Sequence, residues 1–119
     1  MRTDEQRPGL VIHASSGEPD ALRAVLRYAA NFVAAGDGTR RVDVVVHGPA
    51  LDLVLADSDL REQVSELHGA GLVMFSACAN TMAGRGVTAG DLHPATEVVP
   101  AAVVHLAQRQ WDGWAYLRP

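Results

Sequence analysis

The sequence contains no lysine, a single cysteine at position 78, and no apolar run long enough to cross a bilayer. One cysteine excludes an internal disulfide, and a lone thiol is best kept in a reducing compartment, so a cytoplasmic chain with no membrane partner is expected. All ten basic residues are arginine, a bias attributed to genome composition rather than to function. With a formal net charge of −4 and no basic stripe, a nucleic-acid partner is not expected. The start, Met1 to Pro8, is polar and lacks a signal-peptide core. A phosphate loop is missing too, because Gly84-Arg85-Gly86 is short and has neither the lysine nor the hydroxyl that such a loop needs. No Ser-His-Asp pattern can be assigned, and His68, His93 and His105 have no spacing that points to a metal, which leaves Cys78 with His47 or His13 as a third, unsupported alternative. No cofactor and no metal are therefore expected.

What is present reads as one domain's worth of chain, 119 residues with an ordinary apolar fraction. Residues 1–8 are expected to be a flexible arm and residues 9–119 the folded domain. Gly9 to Ala14 and Val42 to His47 are β-branched apolar runs of strand length, followed by Leu72 to Ser76, Thr96 to Val99 and Trp114 to Leu117. Between them lie segments with helical periodicity. The first is capped at Ser16 or Gly17 and ends at Gly36. Ala50 to Ala56 and Asp59 to His68 follow, then a segment from Cys78 to Ala83 and a small helix starting at Thr88. The last helix opens at Pro100 and runs to about Gln110, with Val103, Leu106 and Ala107 as its apolar stripe and Arg109 on the polar side. Strands alternating with helices predict an α/β fold with a mostly parallel sheet of about five strands.

In such sheets ligands bind at the carboxyl ends of the strands. The residues there are His13 and Ser15 after the first strand, His47 and Gly48 after the second, and Cys78, Asn80 and Thr81 after the third. Cys78 stands at a helix start, where unpaired N–H groups favour the thiolate, and Arg85 would add to this by folding back. Two readings stand: a nucleophilic thiol, or a small buried hydrophobe. His47 and His13 could orient the thiolate or simply bond nearby backbone. Asn80 could contact a ligand or cap the turn.

Four segments appear in register: Val44 to Leu51 (Val-Val-Val-His-Gly-Pro-Ala-Leu), Ala77 to Met82 (Ala-Cys-Ala-Asn-Thr-Met), Val98-Val99-Pro100, and Gln110 to Pro119. Together they resemble the DsrE/DsrF-like family of small sulfur-relay proteins. The resemblance spans about Leu10 to Pro119. It implies a three-layer α/β/α sandwich and assembly into homotrimers or hexamers; from the residues themselves, Trp111, Trp114 and Tyr116 are expected to pack inside the domain or across a subunit contact, where aromatics are enriched. It also implies a sulfurtransferase-like carrier that holds sulfur as a persulfide on the cysteine matched by Cys78. Such a carrier exchanges sulfur with donor or acceptor proteins. With one cysteine the chain could not resolve the persulfide internally. The alternative is a non-catalytic ligand-binding or assembly module whose cysteine is structural.

Overall fold

The computed structural model describes residues 7–119. Of the expected arm, residues 1–6 lie outside the described residues. Arg7 reaches Thr39 Oγ1 at 2.5 Å, and the Pro8 carbonyl accepts a hydrogen bond from Arg40.

Five strands form one wholly parallel sheet: β1 (Leu10–Ala14), β2 (Val42–Val46), β3 (Val73–Cys78), β4 (Thr96–Val99) and β5 (Ala115–Leu117). Their order is β4-β3-β2-β1-β5. The helices are α1 (Pro19–Ala35), α2 (Arg61–Gly69), α3 (Ala79–Arg85) and α4 (Ala102–Trp111), with 3₁₀ turns over Gly48–Val54 and Ala89–Asp91. The chain is a three-layer α/β/α sandwich. Among the described residues no helix is long and apolar enough to cross a membrane.

The two sides of the sheet are unequal. Ile12, Val44, Val46 and Phe75 project into a large core with α1, α2 and the Gly48–Val54 turn. On the other side, among the described residues, α4 alone packs down, and a small cluster of Val11, Val45, Cys78, Ala102, Leu106 and Trp114 forms beneath it. β2 is the middle strand and all five of its residues are buried, which is why Val-Asp-Val-Val-Val reads as a continuous run rather than an alternation.

Several boundaries depart from expectation. Neither Ser16 nor Gly17 caps α1: the helix starts at Pro19 after Glu18, and the Ser16 hydroxyl instead accepts the Glu18 N–H at 3.2 Å. Proline at the first helical position, with its preset φ, sets that start. Gly17 serves a different purpose, since a Cβ there would sit 2.8 Å from the Pro49 carbonyl oxygen. The expected helix over Ala50 to Ala56 is a 3₁₀ turn that begins at Gly48, whose φ of +59° favours glycine. β3 runs two residues past Ser76, through Cys78. Helix α4 starts not at Pro100 but at Ala102. Its inward positions are Ala102, His105, Leu106 and Arg109, spaced i, i+3, i+4, i+7, so Val103 is 73 % exposed rather than part of the stripe.

Candidate functional site

Cys78 is the last residue of β3 and the residue from which α3 springs. Its side chain faces α4, and the residue is only 4 % exposed. The backbone N–H of Ala102, one of the unpaired donors in the first turn of α4, points at Cys78 Sγ across 3.4 Å. Burial pushes the thiol pKa up. Hydrogen bonds from the Thr81 and Ala102 N–H groups, the Thr81 hydroxyl and the Asn80 N–H outweigh it, and the thiol titrates below its ordinary value. Thr81 Oγ1 also accepts the Gly48 N–H at 3.0 Å, tying the turn after β2 to the sulfur's own helix. The site around Cys78 thus comes from β3, α3, α4 and the turn after β2. Arg85 does not fold back onto the thiol. It pairs with Asp52 at 2.6 Å and leans toward the Gly48 carbonyl, because an exposed carboxylate is a better partner for a guanidinium than a thiol beneath a helix.

The two histidines meet each other. His13 Nε2 lies 3.0 Å from His47 Nδ1, and His13 Nδ1 lies 2.8 Å from the Tyr116 hydroxyl. Alternation along β1 and β2 puts both rings on the α4 side, in line with Val11 and Val45. Val46, the last residue of β2, pairs with Ala77, so His47 just beyond β2 and Cys78 at the end of β3 each follow a member of that pair. Burial, then the neighbouring His47 and the charge of Arg118, lower the pKa of His13. Ser15 stands apart from the thiol. It helps line a cavity of about 190 Å3 against α1, beside His13, Val25 and Tyr28. The other histidines are held by local bonds: His93 by Ser65 and backbone groups, His68 by the Val73 carbonyl, and His105 by Asp43. Among the described residues, no three His, Cys, Asp or Glu side chains gather as a metal-ligand set.

Under α4 lies a polar knot that the sequence alone did not single out. Asp43, the second residue of β2 and fully buried, accepts from the Ser76 hydroxyl at 2.8 Å, from His105 Nε2 at 2.7 Å and from Arg109 Nε at 2.9 Å. Burial pushes its pKa up. The bonds from His105 and Ser76 and the charge of Arg109 prevail, holding the carboxyl below the usual carboxylate range. The Arg109 guanidinium also lies 4.2 Å from the centre of the Trp114 ring. These bonds set the rotation of α4 and thereby aim the Ala102 N–H at the sulfur.

The profile of the DsrE/DsrF-like family matches residues 10–119. The chain belongs to the DsrE/DsrF-like family. Among solved structures it is similar to MTH1491 from Methanobacterium thermoautotrophicum, a protein of unknown function. The two are 32 % identical with a TM-score of 0.90, over 95 % of this chain and all of that one. It shares the fold of the ychN protein from E. coli, at 16 % identity and a TM-score of 0.73 over 95 % of this chain and all of that one. It also shares the fold of BT1422 from Bacteroides thetaiotaomicron, a conserved protein of unknown function, at 18 % identity and a TM-score of 0.72 over 93 % and 94 % of the two chains. No curated protein matches.

For a DsrE/DsrF-like chain, then, the sequence pointed to Cys78, Thr81, Asn80 and Gly48, which the structure brings together, and to His13 and His47, which it joins. It missed Tyr116 as a partner of His13, the Ala102 N–H, and the Asp43 knot. One signal was available: a lone aspartate inside a valine strand needs a buried partner, and His105 and Arg109 sit four apart on the last helix.

Proposed function

We propose that this chain is a cytoplasmic sulfur carrier that holds sulfur as a persulfide on Cys78. The observation that carries this reading is the hydrogen-bond environment of Sγ in a DsrE/DsrF-like fold: N–H and hydroxyl donors from two helices favour the thiolate, the form that attacks sulfur. The thiolate attacks the terminal sulfur of a donor persulfide. A new S–S bond forms on Cys78, the donor's own S–S bond breaks, and the donor leaves as a thiolate that takes up a proton. An acceptor nucleophile then removes the terminal sulfur and regenerates the Cys78 thiolate. Cys78 is the sole cysteine, so the acceptor is another protein or a small thiol.

Incubation with glutathione persulfide followed by intact mass measurement tests the reading. Gain of one sulfur by the wild type and none by Cys78→Ala is the expected result. Alkylation of Cys78 should reach half its maximal rate below the free-thiol value of about pH 8.5.

A second reading has its own support in the 4 % exposure of Cys78, which suits a packing residue in a binding or assembly module. It expects no sulfur uptake and a thiol that stays inert until the chain unfolds. Under either reading we propose self-association into a trimer or hexamer. Val103, Val104 and Trp111 are 73, 62 and 76 % exposed on the outer side of α4, an apolar surface suited to a subunit contact.

A further inference from the structure

A thiol that is 4 % exposed has almost no contact with water, yet a sulfur carrier must shed a proton before attack and supply one to the departing thiolate. Tyr116, His13 and His47 form a hydrogen-bonded chain with links of 2.8 and 3.0 Å. Its outer member, Tyr116, is 43 % exposed. Its inner member, His47, directly follows Val46, the last β2 residue paired with β3, as Cys78 directly follows its partner Ala77, and alternation from Val45 sets His47 on the side of the sheet that Cys78 faces. We propose that Tyr116, His13 and His47 are a proton relay between the Cys78 thiol and bulk water.

The donor and acceptor inventory allows two arrangements of the chain with both rings neutral. In the first, His47 Nδ1–H donates to His13 Nε2 and His13 Nδ1–H donates to the Tyr116 oxygen, so His47 Nε2 is bare and the Tyr116 hydroxyl faces water. When His47 Nε2 takes the thiol proton, the Nδ1 proton of His47 passes to His13. The Nδ1 proton of His13 passes to Tyr116, and the hydroxyl proton of Tyr116 leaves to water. The result is the second arrangement, in which Tyr116 O–H donates to His13 Nδ1 and His13 Nε2–H donates to His47 Nδ1. One proton has entered and one has left. The reverse passage delivers a proton to the thiolate that departs from the donor. Both arrangements need a neutral His13, and burial, His47 and Arg118 all favour the neutral ring. The other groups facing the sulfur, Thr81, Asn80 and the Ala102 N–H, are hydrogen-bond donors that carry no titratable proton near neutrality.

This inference rests on the sulfur-carrier reading, and its test separates the two. Single-turnover sulfur uptake from glutathione persulfide is followed against pH in the wild type, Tyr116→Phe, His13→Gln and His47→Gln. Each variant should slow uptake ~100-fold or more at pH 7, the lower end of what positioned proton transfer contributes. Added imidazole should restore much of the loss, which a packing defect would not allow. Uptake that is unchanged in Tyr116→Phe and His13→Gln, or slowed and indifferent to imidazole, overturns the relay and leaves the carrier reading intact. A wild type that takes up no sulfur overturns the carrier reading. In that event histidine ¹⁵N spectra decide the relay: Cys78→Ala should shift the His47 and His13 ring nitrogens together, and rings that do not respond overturn it.

Discussion

Replacing Asp43 with asparagine removes a charge that three side chains are arranged to meet. The carboxylate is fully buried and receives Ser76, His105 and Arg109. Breaking a buried charge pair by deleting one member costs roughly 3–5 kcal/mol, because the surviving charge is left without its partner. Here the survivors are not wholly enclosed, since the His105 and Arg109 side chains retain 20 and 22 % exposure and can recover some water. The lower figure, about 3 kcal/mol, is therefore expected. With a urea slope of about 1.5 kcal/mol per molar, suited to a small domain, the midpoint of unfolding at pH 7 should fall by about 2 M. Acid dependence offers a second measure. Asp43 titrates below its ordinary value in the folded chain and near 3.9 when unfolded, so its contribution is complete above about pH 4 and is lost as the pH falls toward the folded value. Asp43→Asn should flatten the stability curve in that acid window alone. A midpoint that moves by less than ~0.3 M at pH 7 would refute the claim that this knot holds α4 in place.

Three further outcomes are expected. Phe75→Ala, at a fully buried position of β3 in the larger core, should cost about 3–5 kcal/mol in chemical denaturation, whereas loss below about 1 kcal/mol would mean that the core collapses around the gap. Gly17→Ala should destabilise by about 1–3 kcal/mol in the same assay, because its Cβ would press on the Pro49 carbonyl, and a neutral result would show that the loop can move aside. Trp111→Gln, at a side chain 76 % exposed, should leave monomer stability within about 0.5 kcal/mol yet shift sedimentation toward smaller species; an unchanged sedimentation profile would remove α4 from any subunit contact.

The fold was legible wherever periodicity and length agreed. Val42 to His47 carries the strongest strand signal and forms β2 over Val42–Val46, and the spacing of Leu22, Val25, Leu26 and Ala29 marks a helix with one apolar stripe. Where reading failed, tertiary contacts had overruled local signals. Pro100 looks like a helix opener, but α4 starts two residues later, in the phase that lets His105 and Arg109 reach Asp43. Val103 lost its place in the stripe for the same reason. At the site, Cys78 was legible as a residue at a strand-to-helix turn. Its burial was not, because α4 lies far along the chain and only folding lays Ala102 against the sulfur. Likewise nothing local in Tyr116 announces His13, which lies 103 residues away and meets it through the pairing of β1 with β5.

The position of Cys78 within β3 sets a mechanical limit on any sulfur it holds. β3 is flanked by β2 and β4; Ala77 pairs with Val46 and Cys78 itself with Val99, so the strand bearing the thiol is held in the sheet up to its last residue. Carriers that deliver cargo on a swinging arm rely on a long, loose tether, whereas Cys78 offers a single Cβ on a rigid shelf. A persulfide lengthens the reach by only about 2 Å, one S–S bond. Under the sulfur-carrier reading, cargo on Cys78 therefore stays where it is loaded, and donor and acceptor must each bring a reacting group to a residue that is 4 % exposed, one after the other.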